Sequence, residues 1–279
     1  MRAFRLAYDG RPFYGYQRQP SVPTVEDALF DALRALGVFD DERKPPRYTP
    51  AGRTDAGVSA LCQTVAFDCP KWCTPRALNA ELPGSVRAWA AADVTETFHA
   101  THDAVRREYV YDLYAPGADE SLARAAAAEL SGEHDYHNLT PDDTGTERDL
   151  SVSVEPDGDF LVLRVAAGGF CYNLVRRLVS VVHGVATGDR SLDSVGRILG
   201  AEPLTGRDAV ATAAPEPLTL VRVDYPGVAF ERDSDAVEST LAVFEERRRD
   251  GLVRARGAER IRRGVAGEEP AGSAARDVR

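Results

Sequence analysis

The run Tyr48-Thr49-Pro50-Ala51-Gly52-Arg53-Thr54-Asp55-Ala56-Gly57-Val58-Ser59 places one carboxylate, Asp55, between two glycines and two residues after an arginine. In extended backbone that spacing sends both side chains to the same side of the chain. The arginine can then favour the charged form of the carboxylate, and a desolvated charged carboxylate can act as nucleophile or base. Spacing alone fits a turn tied by an Arg–Asp pair at least as well. Two further clusters could carry chemistry. Tyr109 and Tyr111 share one face of an apparent strand behind Arg106 and Arg107; cross-strand packing is the plain reading, and a surface on which a base stacks is the functional one. Arg176 and Arg177 interrupt an apolar helix after Phe170-Cys171-Tyr172-Asn173, where an arginine needs an anionic partner if it is buried and otherwise lies on the polar face.

Metal chemistry has little support. Cys69 and Cys73 are spaced C-x3-C, but no second Cys/His pair follows at a zinc-like spacing, so reduced structural thiols are expected. His99, His134 and His137 have no nearby ligand set and are expected to be structural or substrate-facing.

The elements that must position these residues can be read in order. Ala3 to Tyr8 alternates as a strand and meets the turn Asp9-Gly10-Arg11-Pro12. Thr24 can cap a helix running through Leu36, with Asp27 three residues on. A charged loop, 40–46, leads into the Asp55 run. Strands are expected at Gln63–Asp68 and Val86–Val94, with a Pro-started helix, Pro75–Leu82, between them. A second half begins with the strand Arg106–Tyr114. A helix at Leu122–Leu130, a long polar loop from Ser131 to Glu147, and a hairpin of Leu150–Glu155 with Phe160–Ala167 follow. The apolar helix Cys171–Thr187, a short helix Leu192–Leu199 and a closing strand Leu218–Asp224 complete it. Beyond residue 226 the chain turns Glu/Arg-rich and helical at Ala236–Arg263, with a polar tail from 264 to 279 expected to be disordered. The expected division is thus 1–103, 104–225 and an appendage, 226–279.

With 279 residues, 43% of them hydrophobic, the chain can bury a sizeable core. No run of about 18 apolar residues is present, so no membrane contact is expected, and the absence of a targeting pattern suggests the cytoplasm. The formal net charge is −10, and Lys44 and Lys71 are the only lysines. Such a balance argues against a general nucleic-acid binder and fits a protein kept dissolved in high salt. It leaves room for a local arginine-lined groove.

Five segments recur together in one order. They are Tyr8-Asp9-Gly10 with Phe13-Tyr14-Gly15-Tyr16-Gln17-Arg18-Gln19; Ala51 through Val58; Phe98-His99-Ala100 with Arg107-x-Tyr109-x-Tyr111; Phe170 through Arg176-Arg177 to Val182; and Ala213 through Leu220 with Val223-x-Tyr225. Over about residues 3 to 225 this ordered set resembles the tRNA pseudouridine synthase A family. Tyr16 stands where that family usually has Trp, and Ser59 where it usually has His; residues beyond 226 have no counterpart.

The resemblance implies an α+β chain with the pseudouridine synthase fold: two ferredoxin-like halves whose mainly antiparallel sheets join across a central active-site cleft. It implies conversion of uridine to pseudouridine in the anticodon stem-loop of tRNA, with no cofactor and no metal. Asp55 would be the nucleophile, attacking either base or ribose. Tyr109 would lie against the flipped base, Arg53 would guide that nucleotide or fill its place, Arg176 would pair with Asp55, and Arg107 would join the substrate-binding set. The partners implied are tRNA and a second copy of the chain, as a homodimer. The competing readings are a pseudouridine synthase for another tRNA or RNA site, and a non-catalytic RNA-binding protein on the same scaffold.

Overall fold

A single sheet runs through the molecule. The computed structural model describes residues 1–40 and 43–268, so two residues of the predicted 40–46 loop and the last part of the predicted tail, 269–279, lie outside it. The strands are β1 (Arg2–Tyr8), β2 (Thr49–Pro50), β3 (Ser59–Phe67), β4 (Val86–Asp93), β5 (Arg106–Tyr114), β6 (Gly132–Asp135), β7 (Glu147–Asp157), β8 (Phe160–Ala167), β9 (Leu218–Asp224) and β10 (Glu231–Arg232). Their order across the sheet is β10-β4-β1-β3-β9-β5-β8-β7-β6, with β2 pairing β3 to one side. Every pairing is antiparallel but one: β3 and β9 run parallel for Ser59↔Thr219 and Ala60↔Leu220. That short parallel seam joins the strands from the first part of the chain to those from the second.

Helices α1 (Val25–Ala35) and α2 (Pro75–Glu81) accompany the first group of strands. α3 (Glu120–Glu129), α4 (Leu174–Ala186) and α5 (Asp193–Ile198) accompany the second, and α6 (Ser234–Val265) follows the last strand. Local chemistry accounts for their starts. Thr24 Oγ1 accepts from the Asp27 amide at 3.2 Å and donates to Asp27 Oδ2 at 2.6 Å, a reciprocal cap. Thr74 caps α2 in the same way, with Pro75 in the first turn, where its missing N–H costs nothing.

Two apolar cores result. Phe4, Leu6, Leu29, Leu33, Phe67 and Leu78 centre one; Tyr136, Leu163, Leu174, Leu178, Val182 and Val195 centre the other. β9 feeds both, sending Leu220 and Val223 to the first and Leu218 to the second, so the seam is fixed by burial as well as by hydrogen bonds.

The structure departs from the expected elements in several places. The predicted long loop 131–147 contains β6 and a single turn of 3-10 helix at His137–Leu139. Tyr136 drives this: its ring is fully buried and its hydroxyl donates to the Leu130 and Gly132 carbonyls, at 2.9 and 3.1 Å. A single buried aromatic in a polar segment gives no periodic signal. α4 starts at Leu174 rather than Cys171, because Asn173 takes a left-handed φ of 61° just before it. The hairpin turn falls at residues 158–159, since Asp157 still pairs with Phe160. α6 runs past the predicted end, to Val265, into the segment expected to be disordered. No helix among the described residues is long and apolar enough to cross a membrane.

Asp9 ties α6 to the body. Its side chain is buried and accepts from Arg11 Nε at 2.9 Å, Arg11 Nη2 at 2.8 Å and Arg247 Nη1 at 2.5 Å. Burial alone would push its carboxyl upward; the hydrogen bonds of Arg11 and the charges of Arg11 and Arg247 outweigh it and hold Asp9 below the usual carboxylate range. The stabilisation is therefore present above the unfolded-state value, about 4, and is lost as pH falls through the folded one. Asp9→Asn should lower stability near neutrality and flatten its decline below about pH 4, read as denaturant midpoints against pH. A decline as steep as in wild type would show that Asp9 is not its source.

Candidate active site

The Asp55 run lies along β3 as a loop held from below at almost every residue. The Ala51 amide donates to the Thr64 carbonyl at 2.7 Å, buried Gln63 donates to the Gly52 carbonyl at 2.9 Å, and Thr54 Oγ1 meets the Tyr8 hydroxyl at 2.8 Å. The opening segment of the chain completes the cradle: Tyr16 N donates to the Thr54 carbonyl at 3.0 Å, and Gly57 N to that of Phe13 at 3.2 Å. Gly10 must be glycine here, because a Cβ would stand 2.1 Å from the Val58 carbonyl oxygen. Gly15 is required by its φ of 102°, and a Cβ there would also stand 3.1 Å from the Thr54 carbonyl oxygen. The first motif exists to shape the second.

Arg107 clamps the start of the loop. Its Nε and Nη2 donate to the Ala51 carbonyl at 3.1 and 2.8 Å, Nη2 to Thr101 at 2.6 Å, and Nη1 to Gly168 at 2.5 Å. It is 8% exposed. Expected among the substrate ligands, it lines the same cavity as Asp55 and directs its guanidinium at three backbone carbonyls.

The second group of elements brings its residues to the same place. Arg176 sits in the first turn of α4, with the left-handed Asn173 setting the angle at which the helix enters. Its Nη1 donates to Asp55 Oδ2 at 3.3 Å and to Asn173 Oδ1 at 3.2 Å, and its Nε to the Ala213 carbonyl at 2.7 Å. The Ala213 amide returns a bond to the Arg176 carbonyl at 3.2 Å. Both partners of the Asp55–Arg176 pair are mostly shielded, with side chains 23% and 16% exposed. Arg53, two residues from Asp55, does not make this pair. It is exposed and makes no hydrogen bond or ion pair among the described residues.

Asp55, Arg53, Tyr109 and Arg176 all line one cavity of about 800 Å³, of a size for a nucleotide-like ligand. Tyr109 forms part of its wall, its ring edge-on to Phe170 with centroids 5.2 Å apart. Burial pushes its phenol up to about 12, the nearby Arg107 charge works downward and Asp55 works upward, so it stays protonated at ordinary pH. Tyr111, expected beside it as a stacking surface, is buried in the second core instead.

His99 and His102 stand at the cavity rim, their rings 4.1 Å apart. His102 was not singled out in the sequence, although the run Phe98-His99-Ala100-Thr101-His102 offers it. His99 Nδ1 accepts from the amides of Thr101 and His102, at 3.2 and 3.4 Å. Desolvation, with the neighbouring His102, holds His99 below its ordinary value against the opposite pull of Asp103. Phe170, read only as the start of the arginine-bearing segment, is a wall residue of the cavity. His134 and His137 lie away from this cavity. Among the described residues no group of three or more His, Cys, Asp or Glu side chains is placed to hold a metal ion, and all four cysteines are free thiols.

The α+β architecture, one large mainly antiparallel sheet with helices accompanying its two groups of strands, is that of the pseudouridine synthase fold. A family model described as tRNA pseudouridine synthase matches residues 126–226. A protein of Natronomonas pharaonis named tRNA pseudouridine synthase A is 60% identical over 258 residues, covering 92% of this chain and 97% of that one. Proteins of the same name from Haloarcula marismortui (52% identical, 95% and 100% covered) and Methanothrix thermoacetophila (37% identical, 90% and 93% covered) are also similar. The chain belongs to the tRNA pseudouridine synthase A family. It is an isomerase that forms pseudouridine in tRNA.

Proposed function

We propose that Asp55 is the nucleophile of this reaction and that the uridines it converts lie in the anticodon stem-loop. The observation that carries the reading is the Asp55–Arg176 pair facing Tyr109 inside one nucleotide-sized cavity. The reaction breaks the bond from uracil N1 to the ribose and joins C5 to the same carbon; the proton lost from C5 is matched by one gained at N1. No oxidant, reductant or transferred group is needed. The target nucleotide leaves its stack at a cost of a few kcal/mol, and the ring of Tyr109 offers the flipped base a surface. Arg176 orients the carboxylate and balances its charge in a shielded place. Arg53, the unpaired cation beside Asp55, meets the phosphate of the incoming nucleotide or occupies the gap it leaves. Arg107 acts through the loop it clamps, as a positioning residue.

Supplying unmodified tRNA transcripts in high salt and mapping pseudouridine by nucleotide tests the site assignment. Modification confined to the anticodon arm is expected; product elsewhere would favour a synthase for another site. Tyr16 and Ser59 bear on that choice. Tyr16 is fully buried, its hydroxyl bonded to that of Tyr48, and Ser59 Oγ accepts from the Gly10 amide at 3.0 Å. Both support the loop from within and neither lines the cavity, so any effect they have on the substrate passes through the loop they hold.

Tyr109 gives a separate test. Its phenol stays protonated to about 12, so it enters the reaction as a hydrogen-bond donor. The pH–rate profile should carry no inflection from it between about pH 6 and pH 10, and Tyr109→Phe should keep the wild-type shape. Tyr109→Ala, losing a stacking contact worth about 1–3 kcal/mol, should weaken productive binding about tenfold to a hundredfold. An inflection near pH 10 that vanishes in the phenylalanine variant would mean that the tyrosine titrates within the working range.

A further inference from the structure

The helix α6 has charge that neither the fold nor the cavity uses. Its first half is bound to the body: Ala236 is buried, Ser239 Oγ accepts from Arg87, Val243 lies against Gly84, and Arg247 reaches Asp9. Beyond Arg247 the helix overhangs. From 248 to 265 every residue is exposed except Glu259 and Arg263, which pair with each other. Ile261 and Val265 stand on the same face as Ala236 and Arg247, yet are 70% and 86% exposed. The overhang, 18 residues at about 1.5 Å each, is roughly 27 Å long.

Its direction follows from its anchors. Arg87 and Gly84 are at the start of β4, and Asp9 follows the end of β1. Tyr114, at the end of β5, is close enough to act electrostatically on Arg262. β3 and β9 separate β1 from β5. The overhang therefore crosses the end of the sheet at which the Asp55 loop returns to β3, from the first group of strands toward the second.

From 247 to 263 this segment carries eight arginines against two acids, a net +6 in a chain of net −10. Four of the eight have partners: Arg247 with Asp9, Arg248 with Glu245, and Arg262 and Arg263 with Glu259. Arg254, Arg256 and Arg260 have none among the described residues, and Arg249 has no hydrogen bond or ion pair there, only a charge interaction with Glu245. Seven and four residues apart, Arg249, Arg256 and Arg260 form one stripe along the helix. Between them the stripe holds two apolar residues, Leu252 and Val253, still far less apolar surface than the core of a protein–protein interface requires. Three unpaired guanidiniums on an exposed stripe, in an otherwise acidic molecule, match a polyanion.

We propose that the Arg249–Arg256–Arg260 face of α6 is a second contact for the tRNA, holding its phosphate backbone at a distance from the uridine being converted. The proposal rests on tRNA being the substrate. The cavity takes about one nucleotide, so the rest of the tRNA must lie on the exterior, and this arm is a concentrated positive surface across the end of the sheet at which the catalytic loop enters β3.

The test is the full-length triple variant Arg249→Gln, Arg256→Gln, Arg260→Gln, assayed on whole unmodified tRNA and on a short hairpin cut from it around the converted uridine. For whole tRNA, KM should rise about tenfold or more at moderate salt, with kcat within about twofold; three lost phosphate contacts should flatten the dependence of log Kd on log salt by about 2–3. The hairpin, too short to reach the arm, should be converted as by wild type. The matching triple Lys variant should restore whole-tRNA binding, because a phosphate contact needs the charge alone. The side chains replaced make no hydrogen bonds or ion pairs among the described residues, and the charge interaction of Arg249 with Glu245 is fully solvated, so the melting temperature should barely move. A variant equal to wild type in KM and salt dependence would overturn the proposal. So would equal losses on hairpin and tRNA, or intact tRNA binding with a shift to a smaller species on sizing, which would make this face a contact between copies of the chain. Failure of the substrate reading looks different: wild-type protein would neither bind nor modify tRNA.

Discussion

Asp55→Ala should abolish pseudouridine formation, lowering turnover by at least about ten-thousandfold, the scale seen when a nucleophile that works as part of a unit is removed. The variant should nevertheless fold and bind tRNA. Asp55 is held by the loop backbone, through Thr54 and Val58, and its carboxylate makes one long contact of 3.3 Å to Arg176. Arg176 keeps its bonds to the Ala213 carbonyl and to Asn173 when that contact goes. A partly exposed pair of this kind contributes at most about 1 kcal/mol, so the melting curve should barely move. Asp55→Asn, which preserves shape and removes charge, should be equally inactive. Single-turnover rates with saturating enzyme, beside a binding isotherm for the same tRNA, separate the two effects. Turnover by either variant within a hundredfold of wild type would remove Asp55 from the role of nucleophile.

Arg107→Met should be the most destabilising single change at the site. It leaves the carbonyls of Ala51, Thr101 and Gly168 without their shared donor, in a place where water has little access. Buried acceptors stripped of a charged partner cost about 1–3 kcal/mol each, and partial relaxation brings the total to about 3–5 kcal/mol. For a chain of this size that is a fall of about 6–15 °C in melting temperature. Activity should fall even at temperatures where the variant is folded, because the loop bearing Asp55 loses its tether at Ala51. Arg107→Lys should recover only part of the loss, since a single ammonium cannot present a planar fork to three acceptors. Calorimetry with activity measured at low temperature checks both. Unchanged melting together with weaker tRNA binding would restore Arg107 to the substrate-contacting set.

The contrast between these arginines shows how far sequence reading reached. Asp55 stood out as a charge in a glycine-flanked loop, two residues after an arginine, but that spacing fitted a structural turn equally well; the ordered company of the other motifs singled it out. Its partner was legible only through the resemblance. Local spacing offered Arg53, two positions away, whereas the ion pair comes from Arg176, 121 residues further on, as the resemblance implied. Arg107 and Arg176 look alike in sequence, each a cation beside apolar or aromatic residues; burial against carbonyls in one case and a carboxylate in the other assigns them different work. The α4 stripe of Leu174, Leu178 and Val182, the Thr24 cap and the closing strand were visible because periodicity and capping are local. The short β6 strand, the buried Tyr136 and the rim residue His102 were not, because their signals depend on neighbours remote in the chain.

Sequence alone determined the kind of protein: an α+β chain whose ordered motifs carry an Asp-bearing loop, a tyrosine strand and an arginine helix. Those features depend on which residues follow one another. Tertiary structure alone decided that Tyr111 turns into the core, that Arg107 grips backbone carbonyls, and that the C-terminal helix carries a row of exposed arginines. Those facts depend on the short parallel seam of β3 with β9, which brings two separately cored groups of strands together and so makes neighbours of residues more than a hundred positions apart.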